Sequence, residues 1–200
     1  MNGMITVVGS LDDVFLFLGD NKKKFFVERD PDNFYYNEMC GHRHVLRNIE
    51  KYVGLKYVGV EHYRRAFDYT DAEILDILSN NDIIVKGKHG PYEDNTNLTV
   101  LSGCSRHGIN YLPQATEWVE RFPELKEQAD GRTHYGCNIF ITTPHKFASM
   151  MEDEFRYIDE MMKAPNLQQG IVGYFCETIL TPYIIEKHNR KIFEGKVVIP

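Results

Sequence analysis

Two adjacent arginines, a histidine and a tyrosine follow a short apolar run and form the segment best suited to chemistry. The order is Tyr57-Val58-Gly59-Val60-Glu61-His62-Tyr63-Arg64-Arg65. Guanidinium groups are planar, permanently charged forks that match the oxygens of phosphate. Because neighbouring side chains on an extended segment point in opposite directions, at most one arginine is expected to face a ligand. The alternative is a solvated turn whose arginines pair with the nearby acids Asp68 and Asp71.

Strand-like and helix-like segments alternate along the chain and would position this group. Predicted strands lie at 4–8, 56–61, 82–86 and 136–142, with a closing edge strand at 196–199. Predicted helices cover 38–52, 70–78, parts of 98–129, a long segment from 144, and 170–189 with a bend at Pro182. Such alternation favours an α/β fold with a largely parallel sheet, here as one domain over 1–200.

Three of the predicted strands end in basic or hydroxyl residues. The residues at the carboxyl ends of these strands, here called the strand exits, are His62-Tyr63-Arg64-Arg65, Gly87-Lys88-His89 and Thr142-Thr143. In open sheets with parallel strands, ligands bind at the carboxyl ends of the strands. The three exits therefore predict one crevice for a small ligand that bears phosphate.

Two polar residues interrupt apolar segments and are further candidates. Glu177 lies inside an apolar helix, where a carboxylate is expected either in a salt bridge or perturbed for function. Asn138 interrupts an apolar strand and either bridges backbone groups or reaches a ligand hydroxyl. His42 falls on an apolar helix face, which favours a packed core histidine.

The spacing of two cysteines and two histidines is compatible with a zinc-binding site. They are Cys104 with His107 and His134 with Cys137, a CxxH followed by an HxxC. Four such ligands in two close pairs fit a structural zinc site. The alternative is coincidence, because cysteine is also a common small apolar residue in buried strands.

Composition restricts the class of protein. The 200 residues carry a net charge of −6, which disfavours a nucleic-acid partner. No apolar run reaches the roughly 18 residues that a membrane span needs, and the N-terminus lacks the pattern of a secretion signal. The four cysteines form no CxxC, which favours reduced thiols and a cytoplasmic protein. No P-loop, GxGxxG, HExxH or GxSxG motif is present.

The segment around His62 resembles the GxxHYRRxF signature of a bacterial family of capsular or exopolysaccharide biosynthesis glycosyltransferases, which carries a domain-of-unknown-function label. Four further segments resemble that family in the same order. They are Glu38 with Asn48, Asn81-Asp82-Ile83-Ile84, Cys137-Asn138-Ile139-Phe140-Ile141, and Gly173-Tyr174-Phe175-Cys176-Glu177. Together the five segments cover most of residues 34–185.

The resemblance implies a GT-A-like transferase that moves a sugar from a nucleotide-diphosphate sugar to an acceptor hydroxyl. It implies that Arg64 and Arg65, with His62, stabilise the leaving diphosphate in place of a metal, so neither Mn²⁺ nor Mg²⁺ is expected as a cofactor. Glu177 is the expected general base or an orienting residue.

The same resemblance implies a set of donor and acceptor contacts. The expected substrate-binding residues are His62, Tyr63, Glu38, Asn48, Asp82, Lys88, His89 and Asn138. The expected partners are a nucleotide sugar and a glycan or lipid-linked glycan acceptor, in the cytoplasm or at the inner face of the membrane. The alternative is a non-catalytic module on the same fold that binds nucleotide sugars or is stabilised by zinc.

Overall fold

The structure is a computed structural model that describes most of the chain. The described residues are 3–7, 39–62, 65–88, 99–104, 110–136, 138–168 and 170–198, with the backbone alone at 3–7, 40 and 62. Within these ranges, no helix combines the length and the apolar character that crossing a bilayer requires.

The main sheet has five strands in the spatial order β1-β2-β5-β4-β6. The strands are β1 (Gly3–Val7), β2 (Val58–His62), β4 (Ile83–Lys86), β5 (Phe140–Thr142) and β6 (Ile192–Gly195). The pairs β1–β2 and β4–β6 are parallel, whereas β5 is antiparallel to both of its neighbours, β2 and β4. A second sheet of two antiparallel strands joins β3 (Ala66–Phe67) to β7 (Val197–Val198).

The α/β class is confirmed, but the expectation of a largely parallel sheet is wrong. The central strand β5 runs against the other four, so both pairs at the middle of the sheet are antiparallel. The exit of β5, Thr142-Thr143, therefore lies at the opposite edge of the sheet from the exits of β2 and β4. The sheet cannot gather all three exits in one crevice, because the carboxyl ends of antiparallel strands point to opposite edges.

Helices cover both faces of the sheet. In chain order they are α1 (Met39–Arg47), α2 (Asp71–Asn80), α3 (Val100–Gly103), α4 (Leu112–Arg121), α5 (Lys126–Asp130), α6 (Pro144–Met161), α7 (Ile171–Phe175) and α8 (Thr181–His188). Short 3₁₀ turns lie at Ile49–Lys51 and Pro123–Leu125, and a π-helix, Cys176–Leu180, joins α7 to α8. Helix α6 packs against both α1 and α8.

Local sequence signals place several helix ends correctly. Helix α2 begins with the expected capping box, in which Thr70 accepts from the Glu73 backbone and Glu73 accepts from the Thr70 backbone. Helix α6 begins with Pro144 in its first turn, as predicted. Pro182, where a bend is predicted, lies in the first turn of α8, directly after the π-helix Cys176–Leu180, so the helical pattern changes beside the residue that cannot donate a backbone hydrogen bond.

The sheet is buried on both faces, and successive strand residues alternate between two cores. Val58, Val60 and Phe140 pack with α1, α6 and α8 in the larger core. Ile84 and Ile141 point the other way, into a smaller core that includes residues of α2. This alternation has the period of two of a pleated strand. Because the residues on both faces are buried, the strand ends remain to meet a ligand.

Candidate functional site

One edge of the main sheet collects the chemically distinctive strand ends. Strand β2 ends at His62 and β4 ends at Lys86, while β5 runs the other way and begins at Phe140. Phe140 pairs with Val60 on one side and with Val85 on the other. The carboxyl ends of β2 and β4 and the amino end of β5 therefore meet at the same edge, which we call the candidate edge.

The candidate edge brings together part of the predicted site. It carries the end of β2, Lys88 just beyond β4, and Asn138 just before β5. Arg65 is half-buried and directly precedes β3. The side chain of His62 and the residues Tyr63, Arg64, His89 and Glu38 lie outside what the structure describes.

A buried acid joins the two strands on either side of residues 63–65, which we call the basic loop. Glu61 is 1% exposed, and its Oε1 accepts a hydrogen bond of 2.8 Å from the backbone N–H of Phe67. This bond spans the loop from the last residues of β2 to β3. Glu61 therefore holds the two ends of the loop that contains Arg64 and Arg65, a role that sequence reasoning missed although the acid interrupts an apolar strand.

Lys88 is fixed by a carboxylate and an aromatic ring. Its Nζ donates to Glu186 Oε1 at 2.9 Å and lies 4.8 Å from the centre of the Tyr135 ring. Partial burial acts to lower the pKa of Lys88, but the hydrogen bond and charge of Glu186 outweigh burial and raise it. Lys88 therefore stays cationic at the candidate edge, and its role as a phosphate contact stays a prediction.

Asn138 is buried where the chain enters β5 and has an unusual backbone conformation. Its φ is 49°, in the left-handed region that asparagine tolerates better than most residues. Its Nδ2 donates to the carbonyl of Gly173 at 3.4 Å, and its Oδ1 lies 2.9 Å from the hydroxyl of Thr181. Since both ends of the amide bridge groups inside the protein, its predicted contact with a sugar stays a prediction.

His42, on helix α1, contacts Asn138. Its Nε2 lies 3.0 Å from the carbonyl oxygen of Asn138, and its ring meets those of Phe140 and Phe147 edge-on. Burial lowers the pKa of His42 to about 4, although the hydrogen bond to Asn138 acts to raise it. The expectation of a packed, hydrogen-bonded core histidine is confirmed.

Glu177 lies in the π-helix Cys176–Leu180, between the two groups that Asn138 contacts. Gly173, Glu177 and Thr181 are four residues apart, which places them on one side of the helical segment. Asn138 contacts the first and third of these residues, so the same side faces the beginning of β5 at the candidate edge. Glu177 is half-buried, and short π-helices are frequently found at functional sites.

Asp82, an expected substrate contact, lies at the opposite edge of the sheet from Lys88 and the end of β2. It precedes β4, and its Oδ1 pairs with Lys146 Nζ at 3.0 Å. Its Oδ2 accepts from the backbone N–H groups of Arg190 and Lys191. The hydrogen bond from Lys146 is the largest influence on this carboxyl and lowers its pKa. Asp82 thus ties the start of α6 to the entry of β6.

Asn48 lies just beyond α1 and also serves the local fold. Its Nδ2 donates to the carbonyl of His44 at 2.9 Å, and its Oδ1 accepts from Lys51 Nζ at 2.6 Å. These contacts satisfy groups at the end of the helix, where carbonyl oxygens lack helical partners. A substrate role for Asn48 stays a prediction.

Comparison with known proteins places the chain in a family. The model of the family described as a domain of unknown function, DUF4422, matches residues 17–189. The chain belongs to the DUF4422 family. No curated protein matches the DUF4422 chain in sequence.

A solved structure shares the fold. The apo structure of the bifunctional glycosyltransferase WbbM matches 99% of the DUF4422 chain with a TM-score of 0.69 and 15% sequence identity. The chain spans 45% of the length of that protein chain. The DUF4422 chain is thus similar in fold to part of a glycosyltransferase.

The zinc hypothesis concerns residues of the DUF4422 chain that the structure describes only in part. Cys104 and His134 are buried, whereas His107 and Cys137 lie outside the described residues. Burial raises the pKa of the Cys104 thiol to about 12. No group of three metal-ligating side chains occurs within the described ranges, and the four-residue zinc site stays a prediction.

A charged cluster between α6 and α8 gives the DUF4422 chain a pH-dependent contact. Asp153 is 5% exposed and accepts from Lys187 Nζ at 2.6 Å, from His188 Nε2 at 2.9 Å, and from Arg156. Burial acts to raise the pKa of Asp153, but the three donors outweigh it and lower the pKa to about 2.

We expect Asp153→Asn to lower the free energy of unfolding at pH 7 by about 1–3 kcal/mol, because a carboxylate bonded to charged donors is lost. A carboxyl with a depressed pKa stabilises the fold above its unfolded pKa of 3.8 and loses that effect as pH falls toward 2. Urea unfolding at several pH values should therefore show wild type and Asp153→Asn converging below pH 4. Asp159→Asn, in an exposed pair with Arg43, is the control and should cost no more than about 1 kcal/mol. Equal losses in the two variants would contradict the prediction.

Proposed function

We propose that this protein is a glycosyltransferase that moves a sugar from a nucleotide-diphosphate sugar to an acceptor hydroxyl on a GT-A-like fold. The observation that carries the proposal is the candidate edge. There β2, which the basic loop follows, pairs with β5, which Asn138 precedes, and Asn138 contacts Gly173 and Thr181 on the two sides of the π-helix that bears Glu177. An anion site beside a carboxylate is the pair of groups that such a transfer needs. The fold shared with part of WbbM supports the same reaction class.

The proposed electrophilic half of the site is the basic loop. When the bond between sugar and diphosphate breaks, negative charge develops on the diphosphate, and fixed cations nearby lower the barrier. Arg64 and Arg65, assisted by His62, supply that charge without a divalent metal. The bond between Glu61 and Phe67 N–H joins the two strands from which this loop extends.

The proposed nucleophilic half is Glu177. An acceptor hydroxyl must lose its proton as it attacks the sugar, and a positioned carboxylate takes that proton efficiently. The segments on the two sides of the π-helix that carries Glu177 contact Asn138, just before β5, which pairs with β2. Its carboxylate is therefore assigned to the acceptor side of the site.

Further donor contacts are proposed for the residues that adjoin the candidate edge. Lys88 and His89 follow β4, and Tyr63 follows β2, so these three are assigned to the nucleotide diphosphate, and Glu38, before α1, is kept as a substrate contact. Asp82 and Asn48 are not included, because their contacts tie together parts of the fold away from the strand exits. A glycan or lipid-linked glycan is the proposed acceptor, in polysaccharide synthesis in the cytoplasm or at the inner face of the membrane.

A ligand screen by thermal unfolding tests the proposal. Purified protein is heated with nucleoside diphosphates and nucleotide sugars, with and without Mn²⁺. A ligand at 100 times its Kd adds about 2.7 kcal/mol to the stability of the folded state. For a chain of this length that is a rise in Tm of about 5–10 °C. We expect at least one nucleotide sugar to give this rise without Mn²⁺, and hydrolysis of the same donor to be detectable.

Two results would contradict parts of the proposal. If no nucleotide or nucleotide sugar raises Tm, the donor class is wrong. If the rise requires Mn²⁺ and disappears with a chelator, the assignment of the arginines as replacements for a metal is wrong. Binding without donor hydrolysis or transfer identifies a non-catalytic nucleotide-sugar-binding module instead.

A further inference from the structure

Three polar side chains from separate elements meet in the larger core behind the candidate edge. They are Glu154 of α6, Thr181 of α8 and Asn138 before β5, which are 0%, 1% and 1% exposed. The hydroxyl oxygen of Thr181 lies 2.5 Å from Glu154 Oε1 and 2.9 Å from Asn138 Oδ1. The hydroxyl thus touches two oxygens at once, although it has one proton to donate.

The orientation of the Asn138 amide decides where that proton goes. Its nitrogen faces the carbonyl of Gly173, and exchanging the two ends of the amide would bring two acceptor oxygens together. Asn138 Oδ1 therefore faces Thr181 and accepts the proton of its hydroxyl. The remaining contact, between Thr181 and Glu154, requires a second proton, which only the carboxyl of Glu154 can provide.

A neutral Glu154 also fits the rest of its surroundings. Its other oxygen, Oε2, is buried without a hydrogen-bond partner among the described residues. An unpartnered oxygen of this kind costs far less free energy in a neutral acid than in a carboxylate. Burial raises the pKa of Glu154 to about 8, the contact with Thr181 acts to lower it, and the charge of neighbouring Asp153 acts to raise it.

With a proton on Glu154, the hydrogen bonds run in one direction from α6 to the segment that carries Glu177. Glu154 then donates to Thr181, Thr181 donates to Asn138, and Asn138 donates to the carbonyl of Gly173. Gly173 and Thr181 flank the π-helix Cys176–Leu180 on its two sides. The orientation of the Asn138 amide therefore fixes both ends of the turn.

We propose that Glu154 is a neutral carboxylic acid that positions Glu177, because its proton sets the hydrogen-bond chain that holds the π-helix. The protonation of Glu154 and its effect on the turn stand on the buried contacts alone. Only the consequence for catalysis rests on the proposed function.

Infrared spectroscopy tests the protonation directly. At pH 7 exposed carboxyl groups are ionised, so we expect wild type to show the C=O band of a buried carboxylic acid. The band should be absent from Glu154→Gln, whose amide donates to Thr181 in the same way. Wild-type protein without this band, or an equal band in Glu154→Gln, would overturn the proposal.

The pH dependence of stability provides a second test. Between the unfolded pKa of 4.5 and about 8, the folded state retains a proton that the unfolded state releases. The contribution of Glu154 to the free energy of unfolding of wild type therefore falls as pH rises through this window. Glu154→Gln should lack this decrease. The titrations of Asp153 and of His42, which binds the backbone of Asn138, are common to both variants and cancel in the difference. A constant difference in Tm from pH 5 to 8 would overturn the proposal.

Hydrogen exchange and kinetics test the positioning role. Thr181→Val removes the hydroxyl in the middle of the hydrogen-bond chain. We expect faster amide exchange across residues 176–181 in this variant, with protection restored in Thr181→Ser. Displacement of Glu177 should lower kcat by about 10- to 100-fold, with KM for the donor unchanged and kcat restored in Thr181→Ser. Unchanged exchange in Thr181→Val would overturn the positioning role. If exchange behaves as expected but no variant or wild type transfers sugar, the proposed function fails while the hydrogen-bond chain stands.

Discussion

Replacing Arg65 with alanine is expected to lower kcat by about 10²- to 10³-fold, the cost of removing one fixed donor to charge that develops in a transition state. Arg65 lies between the end of β2 and β3, in a loop whose base is held by the buried carboxylate of Glu61. The fold should change little, because the strands on both sides retain their pairing. Steady-state transfer assays and circular dichroism measure the two quantities.

The matched control is Arg190→Ala, which removes an exposed arginine at the opposite edge of the sheet and should leave kcat unchanged. Arg65→Lys keeps the charge but removes the planar fork, so partial activity would show that charge is the main contribution. The same series at Arg64 identifies which arginine faces the diphosphate. Normal kcat in both alanine variants would end the assignment of the basic loop to the leaving group.

Replacing Glu177 with glutamine should lower kcat by about 10²- to 10⁴-fold, the usual contribution of a positioned general base. The amide keeps the size and hydrogen-bonding capacity of the side chain but cannot take the acceptor proton. Donor binding should be unaffected, because Glu177 is assigned to the acceptor side. The rise in Tm with nucleotide sugar and the rate of transfer separate these two effects.

Glu152→Gln serves as the control for this substitution, since Glu152 is an exposed acid on α6. It should keep full activity. If Glu177→Gln retains the wild-type kcat, Glu177 is not the base. A loss of donor-induced stabilisation in the same variant would assign the carboxylate to the donor side instead.

The parts of the fold that local chemistry specifies could be predicted from the sequence. Thr70 and Glu73 define the start of α2 because the two residues cap each other. The run Ile83-Ile84-Val85 identifies β4, since it is buried on both faces. Both signals depend only on residues that are close together in the sequence, so they can be recognised without knowledge of the rest of the fold.

Features that depend on distant partners could not be predicted in the same way. The direction of β5 follows from its pairing with β2 and β4, and nothing within Phe140–Thr142 specifies a direction. Strand β6 was missed because Ile192–Gly195 is only half-buried and contains Glu194. The reversal of β5 then moved Thr142 and Thr143 away from the predicted crevice.

The candidate site was predictable where it adjoins strands and missed where it is buried. The exits of β2 and β4 follow from strand ends alone. Glu154 was overlooked although it falls on the apolar side of α6, three residues from Met151 and four from Ile158. An acid in that register is a visible signal, but its partners Thr181 and Asn138 are known only from the folded chain.

The reversed strand β5 also has a consequence for how the chain folds. Among the described strands, β5 joins the pair β1–β2 to the pair β4–β6, with Ile141 opposite Gly59 on one side and Ile84 on the other. The sheet therefore cannot assemble until residues separated by long stretches of chain have met, a topology that slows folding. On the ribosome, β2 and β4 must wait for β5 to emerge. Until then their edges lack the β5 partner, and unpaired strand edges of this kind are prone to aggregation.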